Sequence, residues 1–395
     1  MNSPLPDDAF LRTNAGGPPN TRQEIYPAEP LADALLALAP LRLRNHRTTR
    51  SCSDNLCIDL AGLAGNDQQI LRHLYSVLSE FLGALVDKST DDDGKWDAIA
   101  RWIVRHDLDA LIDQVLDLGT ASRALGENEA RAKAIHDLRG GALSALLGRL
   151  QLFERLPHDA NQLKVLFVLT RDHLKIMRSA LVGLDDPRRS ADRRPKSHDM
   201  SLALDKWQDA IIGPNWADKP IRLYVDCRVE GALTECCLES AALDRIFYNL
   251  VNNASRHSVS NRLDMAIFPV PESPGENLRF VLSNDVGEAD AAALRALVQS
   301  DGADGAEKGS GLSLLALFEP EVTSTGSGFG LTVVADFVAD AFGLASRQVA
   351  LRERYVGAVL DGDTFRVWFH WPVANDELPP KLDDFRQPEK SLSEP

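Results

Sequence analysis

Apolar residues recur at helical spacing through most of the first third of the chain. Residues 69–86 place an apolar side chain at every third or fourth position, and residues 96–118 repeat the pattern after an acidic interruption at 91–94. This period predicts amphipathic helices, because positions three and four apart share one face of a helix. We therefore predict a mostly helical region over residues 31–118, for which a sensory role is one interpretation.

A helical hairpin is predicted next. The pattern favours one long helix over residues 120–156, a turn at 157–161 and a second helix after it. Each helix carries its own apolar stripe. The stripes are Leu143, Leu146, Leu147, Leu150 and Phe153, and then Leu163, Leu166, Phe167, Leu174, Met177 and Leu181. Two copies of the chain could bury both stripes in a four-helix bundle. The alternative is a monomeric hairpin that packs on the N-terminal helices of its own chain.

The pattern changes beyond residue 221, where short strand-like runs alternate with helical ones. In residues 364–371 every second side chain is apolar, which is typical of a half-buried strand. Helices are predicted at 241–256 and 331–342, and strands at 221–227, 263–268, 278–283, 348–351 and 364–371. This order favours an α/β sandwich with helices on one face of a sheet.

One predicted helix, within residues 244–257, carries candidate metal chemistry. Asn249 and Asn253 are four apart and share a face, and Arg256 and His257 follow one turn later. Amide oxygens suit Mg²⁺, which prefers oxygen ligands, and a nearby cation can contact the phosphates that the metal bridges. The alternative is an ordinary solvated face, which is the usual environment of an asparagine pair on a helix.

A glycine-rich stretch lies before the predicted helix at 331–342. Gly326, Gly328 and Gly330 alternate, and an apolar run follows them directly. Glycine lets backbone N–H groups approach a ligand without a Cβ in the way, and a helix N-terminus after such a loop attracts anions. A flexible linker has the same composition, so this stretch alone is a weak signal.

Five stretches together resemble the histidine kinases, within the wider GHKL group of ATPases. Residues 135–139 are similar to the phosphoacceptor H box, residues 244–257 to the N box, 281–287 to the G1 box, 317–320 to the F box and 325–334 to the G2 box. They occur in the order of that family. The resemblance covers roughly residues 136–373 and does not reach the first hundred or so residues.

The resemblance implies a role for each matching residue. His136 would accept the phosphoryl group, and Asp137 would act as its base. Asn253, and with it Asn249, would hold Mg²⁺, while Arg256 and His257 would approach the phosphates of ATP. Gly326, Gly328 and Gly330 would line the phosphates, Asp285 would accept a hydrogen bond from the adenine amino group, and Gly287 would lie close to the ring. Asn284 competes with Asp285 for the adenine contact.

The sequence departs from the family pattern at several positions. Gly141 stands where the H box usually has proline, and Gly140 where many members carry a residue linked to phosphatase action. Two adjacent glycines would loosen the predicted long helix by roughly 1 kcal/mol each. The G1 box lacks its second glycine.

Composition limits the possible partners. The net charge of −15 argues against non-specific nucleic-acid binding, which needs a basic surface. No apolar run approaches the roughly 20 residues that cross a bilayer, and the N-terminus lacks the features of a signal peptide. We therefore expect a cytoplasmic protein without membrane insertion. Its five cysteines favour reduced thiols over a disulfide framework, with metal or redox roles for Cys52 and Cys57 as the alternative.

These patterns predict an α plus α/β fold class. It would comprise disordered residues 1–30, a helical N-terminal region (31–118), a dimerisation and phosphotransfer hairpin (119–186), a linker (187–199), a GHKL sandwich (200–374) and a disordered tail (375–395).

The predicted function is that of a homodimeric histidine kinase. It would use ATP and Mg²⁺ to phosphorylate His136 and pass the group to a receiver-domain aspartate of a response regulator. One alternative is a histidine phosphotransfer protein or pseudokinase with a degenerate nucleotide site. A more distant one is a GHKL ATPase or an anti-sigma regulator resembling a serine kinase, which would leave His136 without a role.

Overall fold

A computed structural model describes most of the chain between residues 56 and 372. The described residues are 56–126, 128–208, 210–212, 221–227, 229, 231–269, 277–300, 312–313, 315–319 and 329–372. All of them belong to one compact unit. The predicted disordered ends (1–30 and 375–395), Cys52 and two of the three loop glycines, Gly326 and Gly328, lie outside the described residues.

The first part of the described chain is helical, as its periodicity predicts. A short strand β1 (Ile58–Asp59) and a 3-10 turn (Leu60–Gly62) come before four helices: α1 (Gly65–Val86), α2 (Asp92–Arg105), α3 (Leu108–Asp117) and α4 (Thr120–Arg123). The predicted helix at 69–86 is confirmed, and α1 buries an apolar stripe from Ile70 to Leu85. The apolar run at 96–118 is split between α2 and α3, because Asp107 is left-handed (φ 46°) and caps α3.

The long helix predicted over residues 120–156 is wrong. The structure has α5 (Glu129–Arg139), α6 (Gly141–Gln151) and a 3-10 turn (Phe153–Arg155) in its place. Gly140 is extended and Gly141 has a φ of +52°, so the hydrogen-bond ladder stops at the glycine pair. A residue with a positive φ cannot continue a right-handed helix, and glycine adopts that conformation at little cost.

The second hairpin helix, α7 (Ala160–Ala180), is confirmed and lies deep inside the molecule. Every residue from Asp172 to Ala180 is buried. Packing on one side only would leave a polar stripe exposed, so this C-terminal part of α7 is covered all round. Its neighbours include α1, α6 and a later helix, α10 (Cys237–His257). The hairpin therefore packs on the N-terminal helices of its own chain.

The predicted linker over residues 187–199 contains regular structure. The elements here are β2 (Leu181–Val182), α8 (Asp186–Asp192), β3 (Pro195–Asp199) and α9 (Met200–Trp207). Strand β2 pairs in parallel with β1, and β3 pairs in antiparallel fashion with β6 (Ala232–Cys236). Short ladders thus hold both ends of this connection.

A seven-stranded mixed sheet forms the second half of the fold. Its strands are β4 (Ile211–Ile212), β5 (Ile221–Cys227), β7 (Arg262–Pro269), β8 (Asn277–Asp285), β9 (Leu312–Ser313), β10 (Val356–Asp361) and β11 (Thr364–Pro372). They lie in the order β4-β5-β7-β8-β11-β10-β9. Only the β5–β7 pair is parallel among these described neighbours. The strands predicted at 221–227, 263–268, 278–283 and 364–371 are confirmed.

Helices cover one face of this sheet. They include α10 and α12 (Gly330–Ala341), and further helices are α11 (Glu288–Ser300) and α13 (Arg347–Arg352). Phe247 of α10 packs edge-on against Phe280 of β8 and Phe369 of β11, whose rings stack at 4.8 Å. The helices predicted at 241–256 and 331–342 are thereby confirmed, on the face where Phe280 and Phe369 lie.

The strand predicted at 348–351 is wrong, because these residues form helix α13. A run of four residues is too short for its periodicity to separate helix from strand. The buried residues Ala350 and Leu351 lie at the end of one helical turn that packs on α12. The next strand of the sheet is β10, which begins five residues later and pairs with β11 and β9.

No helix among the described residues is long and apolar enough to cross a membrane.

Candidate functional site

The two residues of the predicted H box lie on α5, against the helix of the predicted N box. Asp137 is buried, with only 1% of its side chain exposed. Its Oδ2 accepts hydrogen bonds from Arg245 Nε at 2.7 Å and Arg245 Nη2 at 2.6 Å, and its Oδ1 accepts one from Asn249 Nδ2 at 3.1 Å. Because Arg245 and Asn249 are one turn apart on α10, a single helix face holds both oxygens of this carboxylate.

These contacts keep Asp137 ionised. Burial alone would raise the pKa of its carboxyl, but the charge of Arg245 together with the contacts from His136 and Asn249 outweighs that effect, so the pKa falls below its ordinary value. The ionised Oδ1 lies 3.4 Å from Nδ1 of His136. With a proton on Nδ1 the imidazole is neutral, and its Nε2 keeps the lone pair that a nucleophile needs.

The ring of His136 lies beside the start of α12. Its centroid is 6.5 Å from that of Phe329, the N-cap residue of α12, in an edge-on arrangement. The first residue of α12 is Gly330, where an added Cβ would lie 3.5 Å from Oδ1 of Asn249. The described part of the glycine stretch is therefore next to both the candidate phosphoacceptor and one candidate magnesium ligand. The free N–H groups at a helix N-terminus bind phosphate readily.

The remaining candidates on α10 lie further along the helix. Asn253 is half-buried one turn beyond Asn249, and Arg256 is exposed. His257 ends the helix, with its Nδ1 3.3 Å from Asp290 of α11. The amide oxygens of Asn249 and Asn253 suit Mg²⁺, which keeps most of its water ligands and takes few from protein. No group of three or more His, Cys, Asp or Glu side chains that could hold a metal occurs in the described ranges.

The end of β8 separates the two candidates for the adenine contact. Successive side chains of a strand point to opposite faces, so Asn284 shares the helix-covered face with Phe280 and Leu282. Its Nδ2 is buried and has no hydrogen-bond partner among the described residues. Asp285 is exposed and accepts a hydrogen bond from Thr364. The unpartnered amide of Asn284 fits a ligand on the α10 side of the sheet. The role of Asp285 stays a prediction.

Gly287 follows β8 and lies against the loop after α10. An added Cβ there would lie 3.3 Å from Val259, and the N–H of Val259 donates to the carbonyl of Asp285 at 2.9 Å. The backbone therefore passes close to its neighbour at this point. The predicted place of Gly287 beside the adenine ring stays a prediction.

Ion pairs join α5 to the helices of the sheet half. Lys133 bonds Glu129 of its own helix at 2.7 Å and also pairs with Asp336 of α12. Arg347 of α13 lies 2.6 Å from Glu129 and 3.7 Å from Asp336. These four side chains, which we call the interhelical ion-pair cluster, connect the helix of His136 to α12 and α13.

A second buried network joins α7, α9 and α10. Lys206 pairs with Asp172 and lies 2.6 Å from Asp244, while the hydroxyl of Tyr248 donates to Asp172 at 3.2 Å. Burial raises the pKa of Asp244, and the charge of Asp172 raises it further. By contrast, the cations around Asp172, chiefly Lys206, outweigh its burial and lower its pKa to about 2. The hairpin and the sheet half therefore meet through buried charges.

Sequence reasoning missed two residues of this site. Arg245 lies four positions before Asn249, on the same face of the predicted helix at 244–257, so its helical spacing is the signal that indicates it. Phe329 stands between two of the glycines, and no local pattern indicates that its ring meets His136 of a distant helix.

No protein-family model matches the chain, and no curated protein matches it. Full-length ShkA in complex with AMPPNP is similar at 17% identity, over 59% of this chain and 43% of that one, with a TM-score of 0.31. The histidine kinase AdeS of Acinetobacter baumannii has 14% identity over 59% and 96% of the two chains (TM-score 0.25). A histidine kinase from Burkholderia phymatum has 15% identity over 63% and 100% (TM-score 0.28). This chain spans less than half of the length of ShkA. Similarity at these TM-scores carries no argument about the function of this chain.

Proposed function

We propose that this protein is an ATP-dependent histidine kinase that phosphorylates His136 within its own chain. The observation that carries the proposal is the position of His136 at the start of α12, next to Phe329, while its neighbour Asp137 is held by Arg245 and Asn249. A nucleophile, an orienting carboxylate and a phosphate-binding helix end thus meet at one place.

In the proposed reaction, Nε2 of His136 attacks the γ-phosphorus of ATP. The bond between that phosphorus and the β–γ bridging oxygen breaks, and ADP leaves. Asp137 accepts the Nδ1 proton in a hydrogen bond and stabilises the positive charge that develops on the ring. Mg²⁺, held through Asn253 and Asn249, would neutralise phosphate charge. Arg256, His257 and the glycines Gly326, Gly328 and Gly330 would contact the phosphates.

Two further parts of the proposal follow from the resemblance alone. The phosphoryl group on His136 would pass to an aspartate on the receiver domain of a response regulator, and the kinase would act as a cytoplasmic homodimer. In this dimer the contact would lie outside residues Asp172 to Ala180 of α7, because these residues are already covered within one chain.

The test is incubation with γ-³²P-ATP and Mg²⁺, beside the variants His136→Ala and His73→Ala. His73 is an exposed histidine on α1 and serves as the matched control. We expect acid-labile, base-stable label on the wild type and on His73→Ala, and none on His136→Ala.

Two other outcomes would contradict the proposal. Label that persists on His136→Ala would place the phosphoacceptor elsewhere. No label on any folded variant, together with no binding of a fluorescent ATP analogue, would favour the second candidate, a phosphotransfer protein or pseudokinase. The missing second glycine of the G1 stretch is the observation that favours this candidate.

A further inference from the structure

A cavity of about 440 Å³ lies beneath the helix that carries His136. Its walls come from α5, α10, α12 and α13, together with Leu56 and Cys57 at the start of the described chain. The apolar part of the wall includes Leu56, Ala134, Val333 and Phe337. Pockets of this size that are mostly apolar, with a few converging polar groups, are typical of small-molecule sites.

The cavity is separate from the proposed nucleotide site. Its residue on α10 is Arg245, one turn before Asn249, and its residues on α12 begin at Val333, after the first helical residue Gly330. Asn253, Asp285 and Gly287 do not line it. A ligand here would lie behind the proposed site of phosphate transfer.

Cations outnumber anions around the cavity. Lys133, Arg245 and Arg347 line it, against Glu129 and Asp336. Lys133 and Arg347 already pair with these two carboxylates, and Arg245 pairs with Asp137 outside the wall.

Two guanidinium donors in the cavity wall have no hydrogen-bond partner among the described residues. The side chain of Arg245 is 3% exposed, and its Nη1 has no hydrogen-bond partner in the described part of the chain. The Nε of Arg347 is also buried and has no hydrogen-bond partner in the described part of the chain. A buried guanidinium donor without an acceptor is costly, so a bound acceptor would stabilise it.

We propose that this cavity binds a small organic anion, a carboxylate on a flat apolar body, with the carboxylate at Arg245 and Arg347. The apolar body would pack between Ala134, Val333 and Phe337. The Arg245 guanidinium already packs on the ring of Phe337, at 4.3 Å from its centroid, so the charged and apolar parts of the wall adjoin. Arginine suits this role because its planar fork matches a carboxylate.

Arg245 would connect the ligand to His136. Its Nε and Nη2 hold Asp137, and Asp137 orients His136, so an anion on Nη1 competes with Asp137 for the same guanidinium charge. Ligand binding would therefore change the rate at which His136 is phosphorylated. This coupling rests on the proposed kinase function, whereas binding itself does not.

The test uses 4-(trifluoromethyl)benzoate as the probe, followed by ¹⁹F NMR of the full chain in the absence of ATP. The uncharged 4-(trifluoromethyl)benzyl alcohol is the control ligand. Arg347→Met removes a cation from the wall, and Arg352→Met makes the same substitution at an exposed position of the same helix. Lys133→Met is a second wall variant, and thermal unfolding checks that every variant folds.

We expect saturable binding of the benzoate, weakened about tenfold by Arg347→Met and unchanged by Arg352→Met, because one charge-assisted contact contributes about that much. The alcohol should bind at least about tenfold more weakly. Absence of saturable benzoate binding to the wild type would overturn the proposal. The proposal would also be overturned if the alcohol bound as tightly as the benzoate. The same holds if folded Arg347→Met and Lys133→Met both bound the benzoate as tightly as the wild type.

The coupling is measured separately, as the initial rate of ³²P incorporation at saturating benzoate. A changed rate supports it, and an unchanged rate despite saturable binding would remove the link to His136 while leaving the site. Absence of labelling both with and without benzoate, despite intact benzoate binding, would instead contradict the kinase proposal.

Discussion

At the scale of single residues, Asp137 is the group on which the candidate site depends. Both of its oxygens accept hydrogen bonds from side chains of α10. Its Oδ1 also lies within hydrogen-bond range of Nδ1 of His136. A buried ion pair of this kind adds little net stability, but the removal of one partner leaves an uncompensated charge. The pair therefore fixes where α5 lies on α10.

A double-mutant cycle tests this reading. Arg245→Met should lower the free energy of unfolding by about 3–5 kcal/mol, because it leaves the Asp137 carboxylate buried without a cation. The double variant Asp137→Asn/Arg245→Met should recover most of that loss. Urea denaturation of Arg245→Met, Asp137→Asn and the double variant measures the three losses. Additive losses in the double variant would show that the two side chains do not interact in solution.

A second residue-scale prediction concerns His173 of α7. Burial lowers its pKa to about 3, and neither ring nitrogen has a hydrogen-bond partner in the described ranges. Below pH 6.5, the ordinary pKa of a histidine, the unfolded chain binds a proton at this position that the folded chain does not. The free energy of unfolding therefore falls as the pH is lowered from 6.5 towards 3.

His173→Leu should abolish this dependence. Between pH 7.5 and pH 5 the variant should lose about 2 kcal/mol less unfolding free energy than the wild type, at roughly 1.4 kcal/mol for each pH unit. Denaturation at the two pH values measures it, with the exposed His73→Leu as control. Parallel losses in wild type and His173→Leu would mean that His173 is solvated.

At the scale of elements, the break between α5 and α6 decides the orientation of the helix that carries His136. Gly141 has a φ of +52°, and an added Cβ would lie 3.0 Å from Cβ of Tyr248 on α10. A continuous helix would carry α5 in another direction, away from its present contacts with α12 and α13. The glycine pair that departs from the family pattern is thus a structural feature of this chain.

Gly141→Ala should destabilise the protein by about 1–2 kcal/mol through its left-handed backbone alone, with a further loss from the contact with Tyr248. Gly362→Ala separates the two effects, because Gly362 has a similar positive φ (61°) but has open space around it. Thermal and urea unfolding of both variants give the difference. A loss for Gly141→Ala no larger than that for Gly362→Ala would contradict the close packing on Tyr248.

Elements with a long, regular period were predictable, and short or interrupted ones were not. The helix at 69–86 and the alternating strand at 364–371 have enough repeats to fix their type. The run at 348–351 has too few repeats, and the helix predicted at 120–156 is interrupted because Gly141 adopts a positive φ, which composition does not reveal. The bond between Asp137 and Arg245 joins positions 108 apart, and no local pattern encodes such a contact.

At the scale of the whole molecule, the hairpin is enclosed by its own chain. Helix α1 packs along α7 as extensively as α6 does, and α10 covers another side. This is the arrangement of the alternative that the sequence left open, a monomeric hairpin packed on the N-terminal helices. The homodimer stays a prediction that a single chain does not test.

The solution mass discriminates between these arrangements. A mass of one chain at micromolar concentration, measured by sedimentation equilibrium, would contradict the proposed homodimer. We expect the mass of two chains, joined through a surface other than the buried residues Asp172 to Ala180 of α7. In that case Val104 and Leu116, large apolar side chains that are 82% and 59% exposed, are the first positions to substitute.

The buried charges between α7, α9 and α10 also bear on modularity. In proteins built from separable domains, one domain can be exchanged between relatives. This is possible because the interface between such domains is polar and hydrated and tolerates substitutions. Here the junction contains Asp172, Lys206 and Asp244 inside the molecule. A chimaera that replaces one half would have to bring matching charges with it, so this chain is expected to vary in evolution as one piece.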